Sequence, residues 1–197
     1  MDSCDYVNFP SGEARLKIDN LIVIGSYGQN SGKTTLATTI LNMFSDRIWQ
    51  GLKVTTVVKG KPCPRKSGHC GVCGSLDTPY AFVRELSRSS NKDTSLMLKH
   101  GCEHVYWIRG EAHAVNEPVA NFCSVFSATG NNWILCESNS IVNHVQPALF
   151  VVMKTDQVPK DSAKAVLQYA DYIIDSGNAA DLRCVLDHIG RITRAVD

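Results

Sequence analysis

No apolar run in this chain approaches the roughly 20 residues that a membrane span requires. The longest, Ala148-Leu149-Phe150-Val151-Val152-Met153, has six. An excess of either charge is also missing: 20 Lys and Arg stand against 19 Asp and Glu. Without a net positive field there is no support for a nucleic-acid or anionic membrane surface. Internal repeats and low-complexity stretches are lacking too. The first residues, Met1-Asp2-Ser3-Cys4-Asp5, are acidic and polar, unlike a secretory signal. The expectation is a cytoplasmic protein whose eight cysteines are reduced thiols or metal ligands and not a disulfide framework.

What is present is a chain of 197 residues, enough for one well-buried domain. After a polar leader over residues 1–20, Leu21-Ile22-Val23-Ile24-Gly25 has the pattern of a strand buried on both faces. It enters Gly28-Gln29-Asn30-Ser31-Gly32-Lys33-Thr34-Thr35, after which Leu36, Ile40, Leu41 and Phe44 recur at helical spacing. Further strands are expected at 53–58, 104–108, 133–136, 148–153 and 172–174. Helices are expected at 78–87, 94–99, 118–126, 160–170 and 179–189. Strands alternating with helices predict a single α/β domain over 21–197, with a mainly parallel sheet and helices on both faces.

Gly32-Lys33-Thr34 fits the end of a phosphate-binding loop. In that reading the backbone amides of 30–34 face phosphate oxygens, Lys33 reaches the β- and γ-phosphates and Thr34 offers its hydroxyl to Mg²⁺. The first glycine of the consensus is displaced, with Tyr27 in its place and Gly25 and Gly28 nearby. Glu137 directly follows the apolar Trp133-Ile134-Leu135-Cys136, where a strand-end carboxylate would face a ligand crevice. Asp93 opens a helix and reads either as a Mg²⁺-side carboxylate or as a simple N-cap. Lys154-Thr155-Asp156 follows the fifth expected strand, where guanine-reading loops carry Asn-Lys-x-Asp. Met153 replaces the asparagine, so Lys154 and Asp156 favour GTP while leaving ATP open.

Cys63, Cys70 and Cys73 fall within a Gly-, Pro- and Lys-rich loop at 60–74. Cys-x-x-Cys with a third cysteine nearby is the composition of a metal knuckle, and glycines allow the turns that aim several sulfurs at one point. His69, Cys102 or His104 would complete a tetrahedral set. Thiolates suit Zn²⁺ and iron–sulfur clusters alike. The remaining cysteines read as ordinary core residues.

Taken in order, these segments resemble the MobB family of P-loop GTP-binding proteins that assist molybdopterin guanine dinucleotide biosynthesis. The likeness runs from Leu21-Ile22-Val23-Ile24-Gly25 and Gly32-Lys33-Thr34-Thr35-Leu36 through Lys53-Val54-Thr55-Thr56-Val57-Val58-Lys59 and Lys92-Asp93-Thr94 to Trp133-Ile134-Leu135-Cys136-Glu137. It implies a three-layer P-loop NTPase fold, roles for Asp93 and Glu137 beside Lys33, a homodimer and a cofactor-biosynthesis partner. Ser138 departs from the family's glycine, and the cysteine loop replaces its histidine-bearing one. The resulting expectation is slow Mg²⁺-dependent GTP or ATP hydrolysis accessory to metal-cofactor assembly. A small-molecule kinase with a zinc-stapled lid and a non-catalytic nucleotide-dependent adaptor are the alternatives.

Overall fold

The computed structural model describes residues 15–57, 76, 78–127 and 132–194. Seven strands form its frame: β1 (Leu16–Ser26), β2 (Ile48–Thr56), β3 (Tyr80–Arg84), β4 (Cys102–Gly110), β5 (Asn132–Glu137), β6 (Val145–Lys154) and β7 (Tyr172–Asp175). Five α-helices accompany them: α1 (Lys33–Met43), α2 (Asp93–Lys99), α3 (Asn116–Ser127), α4 (Asp161–Lys164) and α5 (Ala179–Arg194). The strands make one sheet in the order β3-β4-β2-β5-β1-β6-β7. Every pairing is parallel except β3 with β4 at one edge.

The period-two pleat sorts each central strand between two cores. Ile22 and Ile24, Trp133 and Leu135, and Leu149, Val151 and Met153 pack with α1, α2 and α5 on one face. Leu21 and Val23, Ile134 and Cys136, and Phe150 and Val152 pack with α3 and the turn segments after β5 and β6 on the other. A strand covered on both sides needs apolar residues at every position, which is why the central strands read as runs and not as alternations. The result is an α/β architecture with helices on both sheet faces.

Four expectations change in detail. The segment around 78–87 is no helix: Tyr80, Val83 and Leu86 recur at a spacing that imitates one, but residues 80–84 form the antiparallel edge strand. The leader expected to 20 ends earlier, because β1 already begins at Leu16 and bends where its pairing with β6 shifts register between Ile18 and Ile22. β2 begins at Ile48, not Lys53, with Gln50 and Gly51 inside it. The helix expected over 160–170 is one α-turn at Asp161–Lys164 and a 3₁₀ turn at Leu167–Tyr169. Among the described residues no helix is long and apolar enough to cross a membrane.

The centre of the sheet sets the stability. Leu135 is fully buried between β1 and β2, so Leu135→Ala should cost about 2–5 kcal/mol in urea unfolding. Val158→Ala, at a residue 77% exposed, should shift it by less than about 0.5 kcal/mol.

Candidate functional site

β1 and β5 are neighbours whose onward connections leave in opposite directions, β1 through α1 on one face and β5 through the 3₁₀ turn Ile141–Asn143 on the other. A crevice opens outside the carboxyl ends of parallel strands at such a point. Here a cleft of about 290 Å³ is lined by Ser26, Gly28, Gln29 and Lys33 from the β1 side. Lys53 to Thr56, Glu137 to Ser140, Lys160 and Ser162 complete it.

The loop between β1 and α1 is held at several points. Ser26 N donates to Asn139 Oδ1 at 2.7 Å, and Asn139 Nδ2 donates back to the Ser26 carbonyl at 2.9 Å. Tyr27 N donates to the Met153 carbonyl, and Lys160 N donates to the Tyr27 carbonyl, each at 3.0 Å. Asn139 lies so close to the chain that a Cβ on Gly25 would sit 2.8 Å from its Oδ1 and 2.9 Å from Phe150 Cε2. The close approach that needs a glycine is therefore at 25. Tyr27, where the consensus has glycine, packs its ring against the second core. Asn30 and Gly32 adopt left-handed backbone, with φ 55° and 84°, conformations that asparagine and glycine tolerate best. Gly32 is the N-cap of α1, and the first amides of a helix have no partner within it.

Lys33 Nζ turns back on this loop, donating to Ser26 Oγ at 2.6 Å, to the Gly28 carbonyl at 3.3 Å and to Ser31 Oγ at 3.4 Å. Burial holds its pKa below the ordinary lysine value, against the pull of the Glu137 and Asp93 charges. Thr34 Oγ1 donates to Asp93 Oδ1 at 2.9 Å. Lys53 Nζ, from β2, forms an ion pair with Asp93 Oδ2. The N-cap of α2 is Lys92, in extended conformation, and Asp93 is its first helical residue. The carboxylate is thus engaged with Thr34 and Lys53, and the N-cap alternative does not hold. Burial opposes its charge, but Lys53, Thr34 and Lys33 together outweigh burial and hold its pKa below the usual range.

Glu137 continues the Trp133–Leu135 face of β5, which directs it toward α1 and α2. It is 3% exposed, and its Oε1 has no hydrogen-bond partner. Burial, with a further push from the Asp93 charge, raises its pKa to about 7, against the pull of Lys53, Lys33 and the Thr34 hydroxyl.

The structure brings Gly28, Gln29, Lys33 and Glu137 to the cleft, while Thr34 and Asp93 are linked to each other and reach it only through Lys53, which pairs with Asp93 and lines the cleft. Asn30, Ser31 and Gly32 shape the turn, and Thr35 is exposed on α1. Lys154 and Asp156 are exposed and do not line the cleft. From that segment it is Gln157 that reaches the loop, its Oε1 3.0 Å from where a Cβ on Gly28 would be. Cys63, Cys70, Cys73 and His69 lie outside the described residues. Of the other possible fourth ligands, Cys102 is buried, and that burial pushes its thiol up to about 12. His104 Nδ1 lies 2.7 Å from Arg84 Nη2. Among the described residues no group of three or more His, Cys, Asp or Glu is arranged to hold a metal. Cys184, on α5, is disulfide-bonded, so the expectation of reduced thiols or metal ligands does not hold for it. Sequence reasoning missed Ser26, Lys53, Asn139 and Lys160, all of which line the cleft.

Comparison of the chain with protein-family models, with curated proteins and with solved structures finds no match.

An acid whose pKa is higher folded than unfolded favours the folded state while it is protonated. Glu137 therefore stabilises the fold least above pH 7, and the loss develops as pH rises from the ordinary 4.5 to about 7. Glu137→Gln, unfolded by urea in chelator without nucleotide, should gain on the wild type across that window by on the order of 3 kcal/mol. A difference constant from pH 4 to 8 would remove the buried-carboxylate account.

Proposed function

We propose that this cleft is a P-loop nucleotide site and that the chain is a MobB-like NTPase binding GTP or ATP with Mg²⁺. The observation that carries the proposal is the meeting of Lys33, Thr34, Asp93 and Glu137 at the carboxyl ends of β1 and β5. A buried carboxylate oxygen without a partner, beside a second carboxylate and a threonine hydroxyl, is a set of hard oxygen donors. That chemistry fits Mg²⁺. Thr34 would hold the ion, with Asp93 and Glu137 on its side, and when bound it would neutralise phosphate charge.

The chain's own residues have definable roles in this reading. The loop amides over 30–34 and the N-terminus of α1 favour phosphate oxygens. Lys33, held in reserve on Ser26 and Gly28, exchanges those neutral oxygens for charged ones. Glu137, whose buried Oε1 has no hydrogen-bond partner, can accept a hydrogen bond there and so orient a water. No arginine among the described residues lines the cleft, which supports slow turnover without a partner. Lys154 and Asp156 remain the proposed base-reading pair, favouring GTP. A cytoplasmic location, a homodimer, a cofactor-biosynthesis partner, and Zn²⁺ or an iron–sulfur cluster on Cys63, Cys70 and Cys73 belong to the same proposal.

A second reading, a small-molecule kinase, is favoured by one feature: the cleft continues past the loop over Ser138, Ser140, Ser162 and Lys160. That is a polar lining suited to an acceptor. Phosphoryl transfer from γ-labelled nucleotide to an added small molecule, faster than to water, would select it.

Calorimetric titration with Mg·GDP and Mg·ADP should detect binding to the wild type, with GDP preferred, and Lys33→Ala should weaken it by at least about a hundredfold (~2.7 kcal/mol). No binding of either nucleotide to the wild type would overturn the assignment. Independently, Cys70→Ser with Cys73→Ser should remove protein-bound zinc or iron on elemental analysis and leave nucleotide affinity unchanged. Unaltered metal content would end the metal-knuckle proposal.

A further inference from the structure

Lys53 carries no role in the proposed reading, yet it stands inside the site. It pairs directly opposite Glu137 in the parallel register of β2 and β5. It shares the pleat face of Trp49, two turns of the pleat earlier, which is the face α2 covers. Its ammonium is paired with Asp93 Oδ2 while Thr34 occupies Asp93 Oδ1. Both oxygens of one carboxylate are therefore taken, and the second carboxylate, Glu137, keeps a buried oxygen without a partner.

A lysine ammonium amid hard oxygen donors competes for the same electrons as a divalent cation. A divalent ion can take up Asp93 Oδ2 only by displacing Lys53. The displaced ammonium stays anchored on β2 in the wall of the cleft, beside Lys33, where under the proposed reading the phosphates lie. We propose that Lys53 is a built-in counter-cation, a positioning residue that holds Asp93 in the metal-free state and sets how tightly the site takes a divalent ion. It exchanges places with that ion and then faces bound phosphate. This deepens the proposed nucleotide site and rests on it only in taking Thr34, Asp93 and Glu137 as the ion's side of the cleft.

The test uses the full chain without nucleotide, so that a failure of nucleotide binding cannot disguise the result. Mn²⁺ binding is read by electron paramagnetic resonance for the wild type, Lys53→Met, Lys53→Arg and Lys53→Met combined with Asp93→Asn. Lys53→Met should bind Mn²⁺ about tenfold or more tightly than the wild type, because one positive charge beside two carboxylates is gone. Lys53→Arg keeps the charge and should stay near the wild type, which separates charge from packing. Adding Asp93→Asn should abolish the gain. Equal Mn²⁺ affinity in Lys53→Met and wild type would overturn the proposal, as would a gain that survives Asp93→Asn or no Mn²⁺ binding in any variant.

Discussion

The site is organised by two neighbouring carboxylates, Glu137 almost out of reach of water and Asp93 partly open to it. Glu137 is nearly inaccessible at the end of a central strand, and Asp93 sits beside it at the start of α2. Like charges in such a place cannot both be ionised without cations at hand. The chain meets this in two ways. It brings up Lys33 from the loop and Lys53 from the neighbouring strand, and it lets Glu137 keep its proton until near neutrality. Much of the local construction follows from that requirement. β2 and β5 pair so that Lys53 and Glu137 stand opposite one another, and α2 begins at the residue whose carboxylate joins Thr34 to Lys53.

The frame was legible where burial on both faces made the pattern unambiguous. Leu21 to Gly25, Trp133 to Cys136 and Ala148 to Met153 are apolar runs, and each lies in a central strand. The places of Lys33, Thr34 and Glu137 were legible because they depend on local order along the chain: strand, turn and helix for the first two, strand end for the third. Asp93 was half legible. Its place at a helix start is a local fact, but whether its carboxylate caps that helix or reaches α1 depends on where α2 docks.

Lys53 was lost through an error of five residues. Beginning β2 at Lys53 puts the side chain at the far end of the sheet, remote from any strand-end carboxylate. Gln50 and Gly51 look like a turn, but Gly51 sits where a Cβ would meet Val105 Cγ2 at 2.8 Å, so the strand passes close to β4 there and needs the glycine. Ser26, Asn139 and Lys160 were lost for another reason. Their contacts join segments over 100 residues apart, and nothing in their neighbours' spacing signals it. β3 was misread because Tyr80, Val83 and Leu86 recur at a helix-like spacing, and an edge strand with Phe82 and Val83 exposed lacks the burial on both faces that marks the central strands.

The double tie between Asn139 and Ser26, together with the links from Tyr27 to Met153 and Lys160, has a thermodynamic meaning of its own. The loop is already lashed to the ends of β5 and β6 before any ligand arrives. Its conformational entropy has been surrendered during folding, so an anion entering the cleft does not have to order the backbone that receives it. Asn139 and Tyr27 between them tie the loop to three strands at once, β1, β5 and β6. A strain that shifts β5 against β1 is transmitted to the loop through one amide side chain, without passing through the hydrophobic core.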